Sequence, residues 1–211
     1  MINVSIAGIG GQGSVLAAKI LAQAAEAKGW QVRTAETIGM AQRGGNVMSH
    51  VRMGNRGEVV HSPLPAKGSV DMIIALEPGE GARALPFLKK DGVLVVPKSG
   101  IAPTAVNPKA AEYDPQVLIE EMINKGIHVV VVDDVEICTR LSSRKVLNIA
   151  MLAYALLVVS NDPVCTNNEL RGNLGLGEMR AAIPVCVKEK FVAMNTKAID
   201  FVEKMLSLIH I

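Results

Sequence analysis

The stretch that decides the fold runs from Asn3 to Ala35. Asn3–Ile9 reads NVSIAGI, a short apolar run that predicts a buried strand. Its last two residues open the glycine turn Gly8-Ile9-Gly10-Gly11-Gln12-Gly13. Ser14–Lys28, SVLAAKILAQAAEAK, is rich in Ala and Leu and ends at Gly29, as a helix would. Gln31–Ala35, QVRTA, is a second strand. Strand, glycine turn, helix and strand make a βαβ unit, whose crossover is right-handed and whose strands are parallel.

Outward from this unit the chain keeps its α/β rhythm after one interruption. Val47–Met53 and Glu58–Ser62 flank Gly54-Asn55-Arg56-Gly57, which reads as a β-hairpin. Val70–Leu76 is an apolar strand and Gly79–Lys89 a helix, followed by the strand Val93–Val96. Pro97–Pro115 is loop-rich. Gln116–Lys125 is a helix stopped by Gly126, and Ile127–Val132 a further buried strand. Val135–Leu141, Arg144–Val159 and Lys188–Leu206 read as helices, with Arg171–Gly177 a glycine-rich connector between the last two. Continuous apolar strands alternating with helices predict a sheet covered on both faces. The expected fold is a three-layer α/β/α Rossmann-like domain with a mostly parallel sheet, a β-hairpin insertion and a helical C-terminal end.

Composition narrows the function. The 211 residues carry a net charge of +2 and only 3% aromatics. A near-neutral chain makes no strong field for nucleic acid or an anionic membrane, and few rings are on hand to stack on bases. Cys138, Cys165 and Cys186 are odd in number and far apart, so a reducing cytoplasm is expected rather than a disulfide framework. No Cys-x-x-Cys pair offers an iron–sulfur or zinc site. Met1-Ile2-Asn3 leads straight into a strand with no signal-peptide pattern, and Val146–Val159 is too short to span a bilayer. Residues 207–211 form an apolar tail, read as a non-native end without a functional role.

In an open α/β sheet, ligands gather at the carboxyl ends of the strands. The loops Gly8–Gly13, Glu36–Gly45, Glu77-Pro78, Pro97-Lys98-Ser99 and Asp133-Asp134 are therefore expected along one sheet edge. Gly8, Gly10, Gly11 and Gly13 satisfy G-x-G-x-x-G between strand and helix, where backbone N–H groups and the helix dipole can hold a phosphate. The same glycines equally serve close strand–helix packing. Glu36, 23 residues after Gly13, stands where a dinucleotide fold places its ribose-binding acid. Gln42, Arg43, Gly44 and Gly45 follow it. Arg43 can pair bidentately with a carboxylate or phosphate, and the glycines behind it let backbone come close; it can also bridge to Glu36 or Glu77. His50 and His61 fall on the predicted hairpin, in solvated or interfacial positions. Asp133 is expected to cap the following helix, and Asn148 to be a satisfied buried amide.

These motifs together resemble the gamma-type subunit or domain of the 2-oxoacid:ferredoxin oxidoreductases, nearest to the small subunit of the indolepyruvate type. The resemblance is carried by Gly8–Gly13, by Glu36-Thr-Ile-Gly-Met-Ala-Gln-Arg-Gly-Gly45, and by Ser49-His-Val-Arg52. Ser62-Pro-Leu64, Ala75-Leu-Glu-Pro78, Leu85-Pro-Phe-Leu-Lys89, Gly92, Asn148 and Asn195-x-x-Ala198 extend it over nearly the whole chain. One departure is Ala153 or Ala155, where the family usually has glycine. The resemblance implies a single gamma-type catalytic domain over residues 1–206. It implies a large alpha subunit as partner, carrying thiamine diphosphate, magnesium and iron–sulfur clusters, with no cofactor in this chain and no activity alone. The assembly would decarboxylate indolepyruvate or another aryl 2-oxoacid with coenzyme A and pass electrons to ferredoxin. Pyruvate, 2-oxoglutarate and branched-chain 2-oxoacids are alternative substrates. Two readings from other classes stand beside it: a nicotinamide-linked oxidoreductase built on the glycine turn and Glu36, and a non-catalytic structural adaptor.

Overall fold

A computed structural model describes residues 1–39, 45–101, 113–161 and 174–209, without the side chains of 159–161 and 209. The strands are β1 (Ile2–Ile9), β2 (Gln31–Ile38), β3 (Asn46–Gly54), β4 (Val70–Ala75), β5 (Leu88–Pro97) and β6 (His128–Val132). The helices are α1 (Ser14–Glu26), α2 (Pro78–Ala84), α3 (Pro115–Asn124), α4 (Asp134–Leu141), α5 (Leu147–Asn161), α6 (Leu176–Cys186) and α7 (Glu189–Ile209). A short 3-10 turn, Leu85–Phe87, joins α2 to β5.

The strands form one sheet in the order β2-β3-β1-β4-β5-β6. β1, β4, β5 and β6 pair in parallel, whereas β3 pairs antiparallel with both β1 and β2. Alternation along the strands divides the interior in two. Val4, Ile6, Met72, Ile74, Val93 and Val95 face the larger core, under α1, α5, α6 and α7. Ala7, Ile73, Ala75, Leu94 and Val96 face a smaller one with Ala84 of α2 and Ile119 and Met122 of α3. The three-layer α/β/α expectation holds, with five of six strands running one way.

The hairpin differs from expectation. Val47–Met53 is a strand, but Glu58–Ser62 is not. Both edges of β3 are already taken, by β1 and β2, so no ladder remains for a following strand. Residues 58–64 are instead tied down by side chains. Val60 N–H donates to Gln31 Oε1, and Arg52 Nη1 donates to the Ser62 carbonyl at 2.7 Å. The antiparallel partner of β3 on the outside is β2, so β1 and β2 run parallel without touching. Helix α6 replaces what reads as connector and unassigned chain; Gly175, Gly177 and Pro184 mask its pattern, Gly175 standing at its N-cap and Pro184 in its last turn.

Candidate functional site

The parallel ladders bring the carboxyl ends of β1, β4, β5 and β6 to one edge. Leu76 N–H donates to the Ala7 carbonyl at 2.7 Å, and Lys98 N–H to the Val132 carbonyl at 2.8 Å. Helix α1 covers the larger-core face directly after β1, while α2, after β4, covers the other. The chain thus changes faces between β1 and β4, and a crevice opens at that switch. Its volume is about 390 Å³, and Gly11, Gly13, Leu76, Arg144, Lys145 and Asn148 are among the residues that line it.

The glycine turn has a distinct reason at each position. A Cβ on Gly8 would lie 2.8 Å from Gln12 Oε1 and 3.2 Å from Leu76 Cβ. Gln12 uses that room: it accepts from Ile9 N–H at 2.7 Å and donates to the Leu76 carbonyl at 3.0 Å, stapling the turn to β4. Gly10 N–H donates to the Gly45 carbonyl at 2.9 Å, which ties the turn to the start of β3. Gly13 has φ of 83° and a Cβ there would stand 2.6 Å from Asn148 Nδ2. Gly11 has φ of 99° with open space around it. Close packing therefore explains Gly8 and Gly13, while Gly11 borders the crevice. Helix α1 begins there without a side-chain cap and without an acid in its first turn.

Asn148 departs from expectation. It is 3% exposed and its Nδ2 donates to the Gly13 carbonyl at 3.0 Å, but its Oδ1 has no partner among the described residues. The amide is half satisfied. Arg144 and Lys145, which the sequence reading did not single out, come to the crevice from the turn before α5. Arg144 Nη2 reaches Asp134 Oδ2 at 3.2 Å and Ser99 Oγ at 3.4 Å. Asp134 is wholly buried and also accepts from Ser99 N–H at 2.9 Å. Only the Asn148 match and the sheet-edge rule pointed this way in sequence.

Glu36 lies elsewhere. It sits in β2 opposite Ser49, exposed, and lines a second groove of about 360 Å³ with Val15, Lys19, Gln23, Thr34 and Ser49. The insertion of β3 moves Glu36 one strand further from β1, roughly 5 Å more than in an uninterrupted βαβ unit. The first turn of α1 separates the two spaces, with Val15 on one and Leu16 on the other. The glycine turn and the acid of the nicotinamide reading thus do not converge. Gln42, Arg43 and Gly44 lie outside the described residues, as does Cys165; Gly45 is placed beside Gly10.

Other polar groups at the edge have structural partners. Glu77 is buried, caps α2 by accepting Glu80 N–H at 3.0 Å, and accepts from the Tyr113 hydroxyl. Burial, reinforced by that bond, raises the Tyr113 pKa. Burial also raises the carboxyl of Glu80, against the pull of Arg83. Asp133 does cap α4, accepting from Glu136 N–H at 2.9 Å, and that bond chiefly holds its carboxyl low. His50 is 2% exposed, not solvated, because β3 is an interior strand; its Nδ1 meets Ser5 Oγ at 2.8 Å, its ring tilts against Phe87, and burial lowers its pKa. His61 is exposed. Among the described residues, no group of three His, Cys, Asp or Glu side chains is placed to hold a metal, and no helix is long and apolar enough to cross a membrane.

Fold and crevice define an α/β domain built to present one sheet edge and its switch-point cavity. The model of the family described as pyruvate ferredoxin/flavodoxin oxidoreductase matches residues 3–201, and the chain belongs to that family. It is 34% identical over 200 residues to the indolepyruvate oxidoreductase subunit IorB of Archaeoglobus fulgidus, covering 94% of this chain and 92% of that one. It is 26% identical to the pyruvate/ketoisovalerate oxidoreductases common subunit gamma of Pyrococcus furiosus, over 86% and 94% of the two chains. The fold matches the gamma subunit of a keto/oxoacid ferredoxin oxidoreductase from Geobacter sulfurreducens, with TM-score 0.65, 24% identity and 98% and 99% coverage. It also matches, with TM-score 0.67 and 16% identity, 31% of the longer chain of the 2-oxoglutarate:ferredoxin oxidoreductase of Magnetococcus marinus, 98% of this chain being covered.

Proposed function

We propose that the chain is the small subunit of a cytoplasmic 2-oxoacid:ferredoxin oxidoreductase of the indolepyruvate type. The observation that carries this is the 34% identity to an indolepyruvate oxidoreductase subunit along nearly the full length of both chains. The 26% identity to a pyruvate/ketoisovalerate gamma subunit keeps those 2-oxoacids as the second reading. The residues at hand do not fit an iron–sulfur cluster: no Cys-x-x-Cys occurs in the sequence. Thiamine diphosphate, magnesium and clusters are therefore assigned to a larger alpha subunit, which supplies decarboxylation and electron transfer to ferredoxin. This chain's part is to complete the site with the loops Gly8–Gly13 and Glu36–Gly45. Arg43 holds a carboxylate or phosphate of the 2-oxoacid or of coenzyme A.

Co-expression of the tagged chain with its genomic neighbours under anaerobic conditions tests the assignment. A brown complex that reduces a viologen dye with indolepyruvate, dependent on thiamine diphosphate, is expected. A colourless chain that purifies alone and binds a nicotinamide dinucleotide would overturn it. In the assembled enzyme, Arg43→Ala is expected to raise the apparent KM for the 2-oxoacid or coenzyme A about tenfold, the worth of one charge-assisted pair, with subunit composition unchanged. Unaltered kinetics would leave the chain a structural adaptor.

A further inference from the structure

The two ends of the sheet are finished differently. β2 and β6 are its outer strands, and among the described residues neither has a strand on its open side. Open strand edges invite further strands, and proteins guard them with charged side chains or proline. β2 is guarded: Arg33 and Glu36 stand on it, both exposed. β6, His128-Val129-Val130-Val131-Val132, carries no Lys, Arg, Asp, Glu or Pro. Val129 and Val130 are half-buried and Val131 is exposed. Val135, just past the strand, and Ile123 of α3, which contacts β6, are exposed too. The register decides which backbone groups are open. Val132 pairs in parallel with Pro97, and its carbonyl accepts from Lys98 N–H at 2.8 Å. In a parallel ladder the N–H and C=O of one residue point the same way, and the direction alternates along the strand. His128, Val130 and Val132 therefore turn their backbone groups to β5, while Val129 and Val131 turn theirs outward.

We infer that the open side of β6 receives an extended segment of the larger partner subunit as a further strand of the sheet. The inference rests on the subunit assignment above and names the surface through which it is met. Val129 and Val131 offer their N–H donors and carbonyl acceptors to the added backbone, and the exposed valine surface is covered with them. Charge beside the edge selects the occupant. On α3, Glu120 and Glu121 are exposed and form no ion pair among the described residues. A second copy, brought up by the two-fold axis of a symmetric pair, would set this acidic helix beside its own image, where like charges repel. A partner segment with apolar, β-branched residues along the valines and a Lys or Arg beside α3 suits both the strand and the charge.

The co-expressed complex provides the test. Val131→Pro removes an N–H that the β5 ladder does not use, so the isolated chain is expected to keep its circular dichroism and thermal midpoint. Dilution of the complex, followed by mass photometry, is expected to show the partner held about tenfold more weakly, the worth of one net hydrogen bond. Val131→Thr keeps the N–H and the β-branched shape, and its affinity is expected to stay within about twofold. Hydrogen exchange of peptides spanning β6, read by mass spectrometry on the unaltered protein, needs no variant: the Val129 and Val131 amides are expected to slow on assembly. Affinity unchanged by Val131→Pro, equal weakening by Val131→Thr, or β6 exchange unaltered by assembly overturns the added strand. A dimer of the isolated chain that Val131→Pro dissociates assigns the edge to a second copy and overturns the partner segment. If the unaltered chain captures no larger subunit, the subunit reading fails and this inference with it; if the complex forms and β6 takes no part, only this inference fails.

Discussion

At the scale of single residues, backbone conformation sets two opposite expectations. Gly13 is left-handed and packed under Asn148. Gly13→Ala combines a strained φ with a contact that must open, and is expected to destabilise by roughly 1–3 kcal/mol in urea unfolding. Ser142 ends α4 at φ of 53°, the one described non-glycine residue in that region. Ser142→Gly removes the strain and is expected to add up to about 1 kcal/mol. His50 gives a pH dependence. Burial lowers its folded-state pKa, so the unfolded chain binds its proton first as pH falls. Its stabilising contribution is full above the unfolded value near 6.5 and is lost as pH drops from there through the folded value. Glu80, raised by burial, slopes the other way above its ordinary value, so the difference between the native chain and His50→Gln is the quantity to follow. That difference is expected to shrink from pH 7 to pH 5; a constant difference would remove His50 as the titrating group. Sequence alone could not place His50 inside, because its burial depends on β3 being flanked on both sides.

At the scale of elements, what was legible follows from local physics. Apolar runs, glycine stops and Asp or Glu caps are short-range signals, so β1, α1, β4, α3 and β6 fall close to where the sequence puts them. Pairing is long-range, and residues 46–54 carry nothing that says their partners are β1 and β2 rather than 58–62. The site divides the same way. The glycine turn announces itself, whereas Arg144, Lys145 and Asn148 become a group only when the start of α5 meets that turn, as Asn148 does at the Gly13 carbonyl. Helix α5 is the central strut: apolar all round, with Ile149, Ala150, Met151, Leu152, Ala153 and Ala155 fully buried between sheet and α7. Small side chains at Ala153 and Ala155, both fully buried, suit that close approach. Ala153→Leu is expected to overpack the helix, costing roughly 1–3 kcal/mol and lowering the thermal midpoint with the denaturant slope unchanged. An unaffected midpoint would mean that the layer can spread.

At the scale of the whole molecule, the sheet divides two unequal cores, and the imbalance predicts where the chain opens first. The larger core gathers α1, α5, α6 and α7, and α5 has no solvent face among its described side chains through Leu156. On the other side, α3 contributes only Ile119 and Met122 to the interior and leaves Val117 and Ile123 exposed. It covers β6, a five-residue edge strand whose valines are mostly half-buried or exposed. Little apolar area is lost when this corner detaches, whereas separating α5 from β4 and β5 dismantles the main core. Native-state hydrogen exchange should therefore show the amides of α3 and β6 exchanging through an opening well below the global unfolding free energy, with weak denaturant dependence. The amides of β4 and α5 should exchange only with global unfolding. If α3 and α5 share one exchange free energy and one denaturant slope, the two cores form a single cooperative unit. The sheet would then transmit stability across both faces despite their difference in size.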